Sequence, residues 1–327
     1  AAAVTALAAA AERALDSGSL RMASRNATRA LDLLAHSADG TRPISSATGR
    51  ITAQLLVVRA NAAIDRRDAA AAAADLDRVQ RLADRGDDIL LSAEVHRLRG
   101  MLANNSGHPT EARVELGIAI DLLRGTTRSD LLAGALRLRG FIEMFGGSLA
   151  DAEWFFGEAD GLYQSIDDER GMAYVEQHRA WISFLSGDMA TARQRLHGAA
   201  TALGQMGDRN GVGWAFGLLA FVALLLTIRW FGRRVFDAAT ADRAAVMFAL
   251  TPLTFVLTHV AIFDMLFVAC LFGALACLIV AARETRLRLQ VLGFVLLSLA
   301  VQIKGPDRKS TRLNSSHVAL SRMPSSA

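Results

Sequence analysis

The chain has 327 residues, 36 Lys plus Arg against 32 Asp plus Glu, and a formal net charge of +4, with 52% hydrophobic residues. The basic excess is not spread along the chain. Residues 1–210 hold 24 Arg, no Lys and 27 acidic residues, about −3 in all, so a nucleic-acid footprint is excluded there and the high overall isoelectric point does not signal DNA binding. The first 210 residues are Ala-rich and favour helix. Comparing residues 50–200 with themselves gives a period of 40: Arg59, Arg99, Arg139 and Arg179 align, as do Ala72, Ala112, Ala152 and Ala192. Twelve positions before each of those alanines stands a small residue (Ala60, Gly100, Gly140, Ala180). Four after it comes Leu76, Leu116, Phe156 or Leu196, and three further on Val79, Ala119, Ala159 or Ala199. A fixed period of this kind marks an array of supersecondary units. Turn signals at Ser106-Gly-His-Pro109, Gly146-Gly-Ser148 and Ser186-Gly-Asp188 each separate a pair of amphipathic runs, as a helical hairpin requires. A weaker unit around Gly18, Ala23 and Ala30 precedes an insertion at residues 41–46.

The spacing small-x11-Ala-x3-Leu/Phe-x2-Ala resembles the tetratricopeptide repeat, in which small residues let the two helices of a hairpin approach closely. A period six longer than the usual 34 is similar to the longer repeats of bacterial regulator proteins. The resemblance implies an α-solenoid of about five hairpins over residues 1–215, whose groove binds a protein or peptide. Two roles are open to Arg59, Arg99, Arg139 and Arg179. They can line that groove and pair with partner carboxylates, as guanidinium geometry favours, or pair with Asp and Glu of the same array. Trp154, Phe155, Phe156, Tyr163 and Tyr174 read as inter-repeat core rather than a ligand cage. His36, His96, His108, His178 and His197 lack metal-ligand spacing. Gly211-Val-Gly213 follows no strand and is no nucleotide loop. No cofactor is expected.

Residues 216–306 read as membrane helices, with apolar runs at about 213–228, 244–263, 265–282 and 287–303, each near spanning length. Arg229, Arg233, Arg234 and Arg243 follow the first run, and Arg283, Arg286 and Arg288 lie between the last two. Both connections are therefore expected on the cytoplasmic side, with the 259–264 turn and Lys304 opposite. Cys270 and Cys277 sit within an apolar run as small hydrophobes. Asp264 and Lys304 lie at spanning-helix ends, either as functional ionisable groups or as interfacial anchors.

The motifs Phe231-Gly-Arg-Arg234, Leu250-Thr-Pro-Leu253, Phe263-Asp-Met-Leu266 and Leu299-Ala-Val-Gln-Ile-Lys-Gly-Pro306 resemble the polyprenyl-phosphate-sugar-dependent glycosyltransferases of the GT-C membrane fold, protein mannosyltransferases and lipid A aminoarabinose transferases among them. That resemblance implies a substrate-binding pair in which Asp264 orients a polar group and Lys304 holds a donor phosphate. The family carries its acidic catalytic motif in an earlier non-cytoplasmic loop that has no counterpart here. The chain is therefore not expected to be an enzyme as it stands; the alternative is a truncated transferase using a polyprenyl-phosphate-linked sugar.

Residues 307–327 begin Asp-Arg-Lys-Ser-Thr-Arg-Leu-Asn-Ser-Ser-His, which resembles a translated sequencing-library adapter; the alternative is a disordered Ser-rich tail. The repeat register runs on to Ala220 and fails at Thr227, where the next turn glycine is due. A change of pattern at about residues 216–223, inside a helix rather than in a linker, points to chimeric assembly. The expected whole is all-α: solenoid, four-helix transmembrane fragment and tail. Its partners are a protein in the groove and the lipid bilayer, with no nucleic acid. Its place is a multi-pass membrane location if expressed as written, or the cytoplasm for the repeat domain alone.

Overall fold

In a computed structural model, residues 2–16, 19–37, 46–146, 148–250 and 262–304 are described. They form fourteen helices and no strand. Ten of these make five hairpins: α1 (Ala2–Asp16) with α2 (Leu20–Ser37), α3 (Ser46–Asp65) with α4 (Ala69–Gly86), α5 (Ile89–Asn105) with α6 (Pro109–Arg124), α7 (Ser129–Gly146) with α8 (Leu149–Ser165), and α9 (Glu169–Leu185) with α10 (Met189–Gln205). From α4 onward the helix starts are evenly spaced, at Ala69, Ile89, Pro109, Ser129, Leu149, Glu169, Met189 and Arg209, so the period seen in the sequence is one helix and turn taken twice.

The turns explain this regularity. A residue in the left-handed region stands at Arg67 (φ 63°), Asp87 (φ 49°), Gly107 (φ 82°), Asp167 (φ 54°), Gly187 (φ 85°) and Gly207 (φ 71°), and the next residue caps the following helix. Asp68 accepts from the Ala71 N–H at 3.2 Å, Asp88 from Leu91 at 3.0 Å, Asp168 from Gly171 at 2.9 Å, Asp188 from Thr191 at 3.0 Å and Asp208 from Gly211 at 2.9 Å. Ser148 does the same for Asp151 at 3.2 Å. At His108 no side-chain cap forms, and Pro109 opens the helix instead, where its missing N–H costs nothing. A reversal followed at once by a cap lets helices of 16 to 18 residues fold back through a short connection.

The small residues recognised in the sequence do what the spacing required. Ala60 and Ala180 are fully buried. A Cβ placed on Gly100 would lie 2.7 Å from Leu116 Cγ, and one on Gly140 2.7 Å from Phe156 Cε1 and 3.1 Å from the Ala152 carbonyl. The facing Ala72, Ala112, Ala152 and Ala192 and the apolar Leu76, Leu116, Phe156 and Leu196 are likewise buried, so each hairpin closes on one small-to-large contact.

Contacts between hairpins give the array its two rows. Besides touching its neighbours in sequence, α1 packs on α3, α3 on α5, α5 on α7 and α7 on α9, whereas no two even-numbered helices of the array approach backbone to backbone among the described residues; α6 reaches α8 through the long side chain of Arg124, paired with Glu158 at 3.2 Å. The odd helices therefore form the closer-packed inner row, the even ones the splayed outer row.

The chain divides into two compact units, residues 1–212 and 213–327, and the division falls inside the continuous helix α11 (Arg209–Val235). The first turn of α11 keeps the repeat geometry, since Asp208 caps it and a Cβ on Gly211 would sit 2.8 Å from Leu203. No turn occurs at Thr227, which lies mid-helix.

The second unit continues with α12 (Ala238–Leu250), α13 (Ile262–Glu284) and α14 (Leu287–Lys304). Gly232 of α11 lies against Ala241 of α12, and Gly293 of α14 against Leu278 and the Ala274 carbonyl of α13. Arg229 pairs with Asp242 at 2.6 Å and Arg234 with Glu284 at 2.5 Å, which gathers the two basic connections at one end of this unit.

The described helices supply two of the four expected membrane spans. These, within 211–235 and 266–284, are long and apolar enough to cross a bilayer by length and composition. The apolar stretch of α14, residues 287–303, is shorter. The run at 244–263 coincides with α12 only as far as Leu250, and residues 251–261 lie outside the described residues. So do Gly18, most of the 41–46 insertion, Gly147, the Leu250-Thr-Pro-Leu253 motif beyond Leu250, the Gly305-Pro306 pair and the adapter-like tail.

Candidate functional site

The four recurrent arginines all have carboxylate partners inside the array. Arg59 of α3 donates from Nε and Nη2 to both oxygens of Asp75, each at 2.6 Å, a bidentate geometry. Arg99 of α5 reaches Asp77 of α4 at 2.9 Å. Arg139 of α7 holds Glu143 at 2.8 Å and donates to the Arg113 carbonyl of α6 at 3.0 Å. Arg179 of α9 meets Glu153 and Asp160 of α8, both at 2.8 Å, and Glu176 at 3.1 Å. Arg99, Arg139 and Arg179 thus each reach back to the even helix of the preceding hairpin, the second of the two roles their spacing allowed.

Glu143 is shared between Arg139 and Arg113, the latter at 3.0 Å. Burial favours its neutral form, but the hydrogen bonds from Arg113 and Arg139 outweigh it and hold the carboxyl below its usual value.

The aromatic patch read from the sequence divides. Phe156 and Tyr163 are buried, as inter-repeat core, whereas Trp154 is 53% exposed on the outer-row helix α8. Its neighbour Phe155 lies edge-on at 4.8 Å and under the Arg139 guanidinium at 5.2 Å.

A second aromatic group, on the inner-row helices α7 and α9, did not stand out in the sequence. Phe141 and Phe145 meet edge-on at 5.1 Å, Phe145 meets Trp181 at 5.7 Å, and Trp181 meets Phe184 at 5.9 Å. His178 joins them, stacked on Phe156 at 5.3 Å with planes 5° apart and edge-on to Phe141. These rings come one per helical turn and belong to one or two repeats only, so a search for the repeat period passes over them.

Burial first, and the Arg137 charge second, keep the His178 imidazole well below 6.5, against a smaller opposing effect of the Tyr174 backbone. The folded protein therefore holds this ring neutral where the unfolded chain would protonate it. Stability contributed this way is present above 6.5 and declines on acidification, by about 1.4 kcal/mol per pH unit. Urea midpoints of the wild type are expected to fall between pH 7 and 5.5, and His178→Phe, which keeps the stack, to flatten that fall. An unchanged slope in the variant would assign the pH dependence to other groups.

Arg137 of α7 and Tyr174 of α9 stand beside this group. The guanidinium carbon lies 5.0 Å from the Tyr174 ring centre, and the Tyr174 hydroxyl donates to Asp208 at 3.0 Å. Burial, and then the Asp208 charge, push the phenol's pKa upward, so Tyr174 stays a neutral donor.

Asp264 lies in the first turn of α13, and Lys304 is the last residue of α14. A short connection makes these helices an antiparallel hairpin with extensive contact, which places both backbone positions at the end away from the Arg286 connection. No group of three or more His, Cys, Asp or Glu among the described residues is placed to hold a metal ion.

No protein-family model matches the chain, and no curated protein matches it. Among solved structures it is similar to the apo form of RapI, a tetratricopeptide-like helical-repeat protein, with a TM-score of 0.51 and 12% identity. The likeness covers 75% of this chain and 81% of that one. At this identity it shows the fold: an all-helical, tetratricopeptide-like repeat architecture.

Proposed function

We propose that residues 1–212 are a protein-interaction module that receives a segment of a partner protein along the inner row of helices α3, α5, α7 and α9. The observation that carries this reading is the concentration of the half-buried Phe141, Phe145 and Phe184, backed by the buried Trp181, on two adjacent inner-row helices. Large rigid side chains of this kind supply binding energy at low entropic cost. Helical solenoids use their inner surface in this way, and the RapI-like fold supports the same use here. No chemistry is assigned to the module.

The second unit, in this reading, is a bilayer-embedded anchor. Leu287, Val291, Phe294 and Val301 of α14 are each more than half exposed, an arrangement stable in lipid and costly in water. The lipid-linked-sugar transferase reading is not favoured. We further propose that the two units derive from separate genes joined within α11 and followed by adapter sequence. Long-read sequencing of source DNA across codons 210–230 and 300–310 tests this; one continuous natural reading frame through the first stretch would overturn the chimera.

The interaction module is tested by photo-crosslinking. With a benzophenone amino acid at inner-row Phe141 or at exposed, outer-row Val114 (59% exposed), the full chain in native membranes should yield a discrete crosslinked protein from position 141 alone. Equal labelling from both positions would reject the inner row as the binding surface.

A further inference from the structure

We propose that Arg137 is the recognition point for an acidic side chain, Asp or Glu, of a peptide segment lying along the inner row between α7 and α9. The inference rests on the module reading above and adds the chemistry of what is bound.

The argument begins from a comparison within the array. One repeat before Arg137, at the same position, is Arg97. Arg97 is satisfied internally, since its Nε and Nη2 donate to Glu94, one turn earlier on the same helix, at 2.8 and 2.6 Å. The residue matching Glu94 in the repeat of Arg137 is Gly134. The built-in carboxylate is missing at this one turn of α7, and among the described residues no ion pair involves Arg137. Its Nε is buried without a hydrogen-bond partner, a donor left in the state that proteins avoid at a cost of about 1–3 kcal/mol unless something supplies an acceptor.

The position of the guanidinium is nevertheless fixed. It lies over the Tyr174 ring at 5.0 Å, a cation–π contact, and that ring is itself anchored by the hydroxyl's hydrogen bond to Asp208. Asp208 is not available to Arg137, because its oxygens cap α11 at Gly211, accept from Tyr174 and face Arg170 at 3.6 Å. A preorganised guanidinium with no carboxylate of the array paired to it among the described residues suits an incoming carboxylate, which it can hold by two parallel hydrogen bonds. The half-buried Phe141, one turn on along α7 and edge-on to His178, sets an apolar residue beside that acid.

A side-chain carboxylate is favoured over a chain terminus, because terminal carboxylates are captured by clustered backbone N–H groups, whereas Arg137 acts from mid-helix. The unit as a whole is acidic, so attraction does not come from its net charge and must be local to this arginine.

The test uses the full chain in detergent micelles and an array of short peptides, Glu-centred between leucines, with matched Gln-centred and Lys-centred sets. Glu peptides should bind about ten- to a hundredfold tighter than their Gln partners. Arg137→Gln should erase that preference while leaving Gln-peptide affinity in place. A second variant, Gly134→Glu, rebuilds the Glu94–Arg97 arrangement without removing the arginine. A Cβ at 134 meets nothing closer than the Tyr163 hydroxyl at 3.9 Å, so the fold should tolerate it, and the internal acid should abolish the preference equally. Retention of the preference in both variants, or equal binding of Glu and Gln peptides by the wild type, overturns the Arg137 assignment alone. Failure of the wild type to bind any peptide overturns the module reading together with it.

Discussion

Phe156→Ala should destabilise the repeat unit by about 3–5 kcal/mol, the largest loss expected from one substitution in this chain. Phe156 is the largest fully buried side chain among the described residues, stacks on His178, and fills the space opened by Gly140. Three other hairpins hold leucine at this position, opposite Ala60, Gly100 or Ala180. Removing the ring leaves a cavity between α7, α8 and α9 that the glycine cannot help to close. Because each hairpin of a solenoid is stabilised by its neighbours alone, the loss should appear as early local opening. Urea denaturation read by amide exchange in α7 and α8 measures it, and a shift below about 1 kcal/mol would show that the site collapses without the cavity penalty.

The same contact supplies its own control. Gly140→Ala places a methyl group 2.7 Å from the Phe156 ring; overpacking costs about 1–3 kcal/mol, offset by about 1 kcal/mol of helix propensity. Combining it with Phe156→Leu recreates the Ala180–Leu196 pair of the next hairpin. The double variant should be more stable than the sum of the single effects, by about 0.5–3 kcal/mol.

The second large effect is expected at Glu143, whose carboxylate serves two arginines from neighbouring helices. Glu143→Ala leaves Arg113 and Arg139 without that acceptor and should cost about 1.5–3 kcal/mol, as for hydrogen bonds to charged groups. The pH dependence follows from the direction of its shift. Its folded-state pKa lies below the ordinary 4.5, so the stability it contributes is present above 4.5 and disappears as pH falls through the depressed value. Glu143→Gln should flatten this acid limb, measured by denaturation between pH 5.5 and 3, without altering the His178-dependent slope nearer neutrality. An acid limb as steep as the wild type's would mean that other carboxylates set it.

The five hairpins were legible because close helix packing needs a small residue facing a large one, and that need recurs once per repeat at Gly100–Leu116, Gly140–Phe156 and Ala180–Leu196. The half-period, one helix and its turn, was harder to read. Its reversals fall on Arg67, Asp87 and Asp167 as well as on glycines, and a non-glycine residue in the left-handed region announces nothing by its identity. The capping aspartates one residue later were the available signal. Partners of the recurrent arginines could not be read off because the acids change position between repeats: Asp77 for Arg99, Glu143 for Arg139, Glu153 and Asp160 for Arg179. Arg137 escaped notice for the opposite reason. It matters through what is absent at Gly134, and only a repeat-by-repeat comparison with Glu94 and Arg97 exposes that. In the second unit hydropathy located the apolar helices; two of them have spanning length, the apolar stretch of α14 is shorter, and most of the run at 244–263 lies outside the described residues.

The spacing of the reversals also bears on how such an array can change size. Cutting at two turns one full repeat apart, such as those at Asp87 and Thr127 or at Asp167 and Gly207, and rejoining the ends would remove one helix of each row. Every remaining inner helix would still find an inner neighbour, and every small residue its large counterpart. Excision of a single helix with its turn would instead exchange the rows for the whole remainder of the chain. Lengthening or shortening by recombination is thus tolerated only in even steps, and the hairpin rather than the helix is the unit that can be inherited.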